Sequence, residues 1–193
     1  MIVWMSRGSI WMYGVVVKML RKLELKDTQY ILEWMHDVEC KNIYLADMNS
    51  KTNEDVKQFI KNAAQPGNSV HYAFVDENDE YLGTVSLKDI DKKSRTAEFA
   101  IASRKKARGT GITRKATIEI LKIGFEEYQL NKIYLNVFSD NERAVRFYEK
   151  IGFIFEGEFR EHIISNNIKH NLKWFGMLRD EFGRNLEGYQ NGI

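Results

Sequence analysis

A run of small and basic residues, RKKARGTGIT at 104–113, stands between a short β-prone segment (95–102) and the strongest helical pattern of the chain (112–128). The first-turn N–H groups of a helix have no acceptor within the helix, and its dipole adds partial positive charge there. Glycine, lacking Cβ, lets backbone close on an anion. Strand, glycine loop and helix start together read as a phosphate cradle. It is not a dinucleotide fingerprint: Arg114 stands where the third glycine belongs, and the chain does not open as βαβ. It is not a Walker A loop either, because Gly-Lys-Ser/Thr is absent. Taken alone, the loop is equally compatible with a solvated basic turn.

The remaining pattern supplies the frame. Residues 15–25 read as a first strand, and Asp27 is placed to cap a helix reaching His36, with Tyr30, Ile31, Trp34 and Met35 on its apolar face. Thr52 or Asn53 opens a second helix to Ala64, stopped by Pro66-Gly67-Asn68. Residues 71–76, 81–87 and 95–102 form a meander of short strands. After the long helix, residues 132–138 alternate as a strand, and Ser139 or Asp140 caps a helix that Gly152 ends. Residues 153–159 and 168–178 close the chain as a strand pair, and the polar tail from Arg179 reads as mobile. The order βααβββ-α-β-α-ββ specifies an α/β domain with a mixed, mostly antiparallel sheet flanked by helices. The division is 1–17 as an N-terminal extension, 18–180 as the domain and 181–193 as the tail.

The second informative segment is DNERAVRFYEKIGF at 140–153. Asn141, Ala144, Val145 and Tyr148 share one helix face, with an Asn at one end and a Tyr at the other. A core aromatic with its hydroxyl at the edge would look the same. RGTGIT, KIYLNVF and NERAVRFYEKIGF in this order resemble the GNAT N-acetyltransferases, especially the RimJ/RimL-like branch that acetylates ribosomal-protein N-termini, spermidine or amino-sugar nucleotides. The likeness runs over about residues 20–178.

The resemblance implies acetyl-CoA as co-substrate. Arg108, Gly109, Thr110, Gly111, Ile112 and Thr113 match the family's pyrophosphate motif, Gln/Arg-x-x-Gly-x-Gly/Ala, except that Thr113 replaces Gly or Ala. It implies that Ile101, Ala102 and Ser103 grip the pantetheine arm with backbone groups, that Asn141 contacts the cofactor, and that Tyr148 stands beside its sulfur. A neutral amine would attack the thioester directly in a ternary complex, a strand amide would hold the oxyanion, and Tyr148 would protonate the thiolate. Glu98 matches an active-site Glu of polyamine-acetylating relatives and is the expected base; an exposed strand charge paired with a Lys or Arg is the alternative. Arg104, Lys105, Lys106, Arg108, Arg114 and Lys115 are expected to meet the coenzyme phosphates.

Composition narrows the class. With 29 basic and 27 acidic residues the net charge is +2, too balanced for nucleic-acid binding by global charge. The uncharged run 8–17 is about half of the roughly 20 residues a membrane span needs, so neither a membrane nor a cleaved leader is expected and a cytoplasmic location is. The extension reads as dispensable, an upstream start before Met19, or else as an edge strand or oligomer contact. Cys40 is the only cysteine, so no internal disulfide exists. His36, His71, His162 and His170 show no metal-ligand spacing, so no metal is expected. The resemblance implies a protein α-amine, a polyamine or an amino sugar as acceptor; Asp37, Glu39 and Asp47 offer carboxylates for a polyamine. A homo-oligomer is compatible with the chain. A non-catalytic CoA sensor or a nucleic-acid-binding module is the rival class.

Overall fold

The computed structural model describes residues 9–12, 15–37, 48–165 and 167–191 of the 193. Glu39, Cys40 and Asp47 lie outside the described residues.

Alternating apolar residues build a seven-stranded sheet: β3 (Leu20–Lys22), β4 (Val70–Val75), β5 (Tyr81–Asp91), β6 (Thr96–Ser103), β7 (Lys132–Phe138), β8 (Ile154–Ser165) and β9 (Ile168–Leu178). Its spatial order is β3-β4-β5-β6-β7-β9-β8, and every neighbouring pair is antiparallel except β6 with β7. The first expected strand is in fact two. Val15–Lys18 (β2) pairs with Ser9–Met12 (β1) in a separate two-stranded sheet, while Leu20–Lys22 joins the main one.

Each face of the sheet is covered by helices. On one face α1 (Thr28–Met35) and α2 (Asn53–Ala63) bury Ile31, Trp34, Val56 and Ile60 against Ala73, Val75 and Tyr81. On the other, α3 (Ile112–Lys122) and α4 (Glu142–Ile151) pack on Leu87, Phe99, Ile133 and Leu135. Thr52 caps α2 through a reciprocal capping box with Asp55. Asp27 does not cap α1. Its buried carboxylate instead accepts from both terminal nitrogens of the Arg21 guanidinium at 2.8 Å, because an ion pair outcompetes a single amide for a shielded acid.

Two further elements differ from the sequence pattern. The long helix leaves α geometry at Ile123 and finishes in a π turn, Ile123–Glu127. There Gly124 admits Ile133, whose Cδ1 would stand 2.7 Å from any added Cβ. The tail expected to be mobile is helical, α5 (Arg179–Asn191). It is held because Phe182 is buried against Phe125 at 5.1 Å and Arg179 Nε donates to the Leu130 carbonyl.

Candidate active site

The sheet opens between β6 and β7. Their parallel pairing stops at Glu98↔Tyr134, after which β7 continues only with β9 and β6 only with β5. Arg104 N donates to Leu82 O at 2.9 Å, and with the register Ala102↔Thr84 this commits the Ala102 backbone to β5. By alternation the N–H and C=O of Ile101 and Ser103 face the gap. Of the three residues expected to grip the pantetheine arm, Ile101 and Ser103 therefore offer backbone to it, and Ala102 does not.

The gap widens into a cleft of about 1270 Å³. One wall is the loop from Arg108 to Thr113. Gly109 and Gly111 have φ of +76° and +79°, the left-handed region that glycine enters without strain. This turns the loop so that the N–H groups of Gly109, Gly111 and Thr113 have no acceptor among the described residues. Thr110 and Ile112 do not line the cleft. The Thr110 hydroxyl donates to Ala107 O and accepts from Ile112 N, tightening the turn, and Ile112 packs on the core.

The basic residues divide differently from the sequence expectation. Arg104 is buried; it pairs with Glu33 and Glu80 and stacks on Tyr30, with its guanidinium carbon 4.5 Å from the ring centroid. Lys106 pairs with Glu80 and Asp76, and neither Lys105 nor Lys115 lines the cleft. Arg108 and Arg114 do line it, joined by Arg143, Arg146 and Lys150 of α4. Spaced i, i+3 and i+7, these three share one face of the helix, a basic stripe the sequence reading missed.

Asn141 is the N-cap of α4, accepting from Ala144 N at 3.2 Å, and it lines the cleft mouth. Tyr148 lies deeper on the same helix, half-buried and edge-on to Phe99, Phe147 and Phe153. Its hydroxyl has no hydrogen-bond partner among the described residues. Burial among these rings pushes the phenol up to about 12, so it is held protonated.

The opposite half of the cleft lies on the α1/α2 face. Glu98 is there as expected, but Lys88 Nζ donates to its Oε1 at 2.8 Å. Asn136 of β7 also lines this half, and its Oδ1 is a buried acceptor with no donor among the described residues. An Asn in the otherwise apolar run LNVF was the sequence signal for it. His162 lies on β8, in a separate shallow hollow with Phe159, Arg160 and Asn171. Among the described residues no group of His, Cys, Asp and Glu could hold a metal ion, and no helix is long and apolar enough to cross a membrane.

A diphosphate fits this arrangement: unpaired amides and five guanidinium or ammonium groups line one cleft, Arg146 also pairing with Glu142, and an open strand edge runs along it beside Tyr148. Residues 19–154 match the family model "Acetyltransferase (GNAT) domain". The chain therefore belongs to the GNAT acetyltransferase family. It is 29% identical over 157 residues to the Escherichia coli K12 spermidine N(1)-acetyltransferase, covering 79% of this chain and 81% of that one. To the Bacillus subtilis N-acetyltransferase YokL it is 30% identical over 58% of this chain and 63% of that protein. The chain thus spans less than two thirds of some curated relatives. Among solved structures, spermidine N-acetyltransferase from Vibrio cholerae in complex with CoA and spermine superposes with a TM-score of 0.78 at 24% identity, covering 84% of this chain and 96% of that one.

Proposed function

We propose that this protein transfers the acetyl group of acetyl-CoA to a primary amine by direct attack in a ternary complex, with the α-amine of a peptide or protein as the first acceptor class. One observation carries the reading: the β6/β7 gap connects the unpaired amides at Gly109 and Gly111 to the Tyr148 hydroxyl.

The residues divide the work along that gap. Gly109, Gly111 and Thr113 amides, with Arg108, hold the diphosphate; Ile101 and Ser103 backbone groups hold the arm. Asn141 fixes the start of α4 and hence the height of Tyr148. An amide of β6 facing the gap donates to the thioester oxygen as charge builds there. Tyr148, kept protonated by burial, donates to the sulfur as the C–S bond breaks.

Charge in the acceptor half favours the α-amine. Glu98 is engaged by Lys88, and Asp55 accepts from the backbone and hydroxyl of Thr52. Lys88 offsets the Glu98 charge, so among the described residues lining this half Asp55 is the one carboxylate without a cationic partner, fewer than a polycation calls for. An α-amine has a pKa of about 7.7–8.0, so roughly a tenth is neutral at pH 7, against about one part in 2500 for an alkylamine near 10.4. A polyamine is the second reading, supported by the 29% identity to a spermidine N(1)-acetyltransferase over 81% of its length. A V. cholerae relative at 25% identity is described as dodecameric, which supports a homo-oligomer here.

Thiol release from acetyl-CoA over a panel of N-terminal peptides, polyamines and amino sugars tests the reading, with calorimetry of acetyl-CoA alongside. Binding with release on at least one amine is expected. Binding with no release on any amine would make the protein a CoA sensor. No binding by folded protein would remove both.

A further inference from the structure

The floor of the acceptor half carries a polar row that the chemistry above does not use. His71 on β4, Ser86 on β5 and Ala100 on β6 are successive register partners, and all three line the cleft. His71 Nδ1 and Ser86 Oγ are 2.8 Å apart, and Phe59 of α2 packs edge-on against the imidazole at 5.1 Å. Ser86 is only 5% exposed, so its hydroxyl is held in one place. Ala100 ends at Cβ and leaves the space between that hydroxyl and the β6/β7 gap open. Ile101, the next residue, already presents its backbone to the gap.

We propose, resting on the acetyl-transfer reading above, that His71 removes the surplus proton of the acceptor amine through the Ser86 hydroxyl. Ser86 Oγ takes a proton from the ammonium, directly or through one water, while its own proton passes to His71 Nδ1. The imidazole becomes imidazolium, and the amine is left with its lone pair. The C–N bond then forms as the C–S bond breaks. The thiolate takes the Tyr148 proton, and the new amide nitrogen returns one through solvent. The imidazolium releases its proton to water, so each ammonium acetylated yields one amide, one thiol and one proton.

The surroundings suit a group that must start neutral. The charged groups facing the row are Lys88 of β5, Glu98 of β6 bound to it, and Lys51 and Asp55 at the start of α2. Burial, and secondarily Lys88, holds the imidazole below its ordinary pKa, so at pH 7 it is a free base. A histidine that merely satisfies a buried serine would have the same contacts. The two differ in pH dependence, because above the amine's own pKa no relay is needed.

The test is kcat/KM from pH 6 to pH 10.5 for the full chain, His71→Gln, Ser86→Ala and the double variant. The acceptor is an alanyl tripeptide or spermidine, whichever the wild type uses faster. Both single variants are expected to lose about 100-fold at pH 7, the usual worth of a positioned proton acceptor, and the double variant no more. The deficit should close to within about threefold as pH rises past the amine's own pKa. A deficit equal at all pH values, or none at pH 7, overturns the proposal. Acetyl-CoA affinity by calorimetry certifies folding; should His71→Gln lose it, the Ser86→Ala profile decides alone. If the wild type releases thiol with no amine, the acetyl-transfer reading has failed and this inference falls with it.

Discussion

Lys88 Nζ stands 2.8 Å from Glu98 Oε1 at the position where β6 last pairs with β7. The pair is neutral as a unit and keeps an ammonium out of the path of an incoming cationic acceptor. Glu98→Gln leaves Lys88 charged and unpartnered in the cleft. The amine KM should rise about fivefold, the worth of a partly exposed ion pair of about 1 kcal/mol, with kcat nearly unchanged. Steady-state kinetics across pH also tells whether Glu98 is the proton acceptor. The acid limb should persist in Glu98→Gln, and its disappearance would restore Glu98 to that role.

Tyr148→Phe keeps the edge-on ring contacts and removes only the proton. kcat should fall about 100-fold, as expected for loss of a general acid, while acetyl-CoA affinity stays at the wild-type value. Because burial raises the phenol from about 10 to about 12, no alkaline fall in kcat from this group is expected below pH 11. The same shift affects stability. A phenol ionised more easily unfolded than folded contributes its full share below pH 10, and that share is lost as pH rises from 10 toward 12. Urea titrations at pH 8 and pH 11 should show a larger loss in the wild type than in Tyr148→Phe, which keeps the share due to the other buried phenols, Tyr81 above all.

At Gly109 and Gly111 a Cβ would meet nothing within 4 Å, so the requirement is conformational, not steric. Alanine in the left-handed region costs about 1–2 kcal/mol, or the loop turns and its amides leave the diphosphate. Gly111→Ala should weaken acetyl-CoA binding about tenfold or more in calorimetry with little change in melting temperature if the loop turns, and the reverse if it does not. Gly111→Asn should lie closer to wild type, since Asn enters that region most readily among the others.

How far the sequence was legible follows from how local each determinant is. The loop glycines and the terminating Gly152 are short-range devices, and the structure has them where the pattern put them; the cap of α4 is Asn141 instead of Ser139 or Asp140, because its side chain is the one that accepts from Ala144 N. The gap between β6 and β7 is a property of strand register, which the resemblance supplied and no spacing within RGTGIT encodes. Arg104 shows the opposite limit. It sits in the basic run, yet its partners Glu33 and Glu80 lie 71 and 24 residues away, so nothing adjacent marked it as structural. His71 and Ser86 meet only because β4 pairs with β5, 15 residues apart.

Arg104→Met should accordingly act on stability before it acts on the coenzyme. Breaking a buried pair costs about 3–5 kcal/mol, and the half-exposed Glu33 brings this down to roughly 1–3 kcal/mol in urea unfolding. Arg104→Lys should recover little of it, since a lysine cannot span both Glu33 oxygens as the guanidinium fork does. Removing Arg143 and Lys150 together should do the reverse. Acetyl-CoA affinity should fall with a reduced salt dependence, and the unfolding midpoint should stay put. Were Arg104→Met to weaken the coenzyme more than that double variant, the division of basic residues given above would be wrong.

The C-terminal helix offers the last check, because it inverts the sequence expectation. A polar segment with Gly183 and Gly188 has little helical propensity of its own. What holds it is Phe182, 2% exposed in the core beside Phe125, with Arg179 anchored on the loop that leads into β7. Phe182→Ala should therefore cost about 3–5 kcal/mol in urea unfolding, the usual range for a buried phenylalanine. Ending the chain at Leu178 should cost at least as much, since it removes the Arg179 anchor as well. Both changes lie far from the cleft, so acetyl-CoA affinity measured well below the unfolding midpoint should be preserved. A truncated chain as stable as the full one would show that Phe182 carries no load and that the segment behaves as the tail its composition suggests.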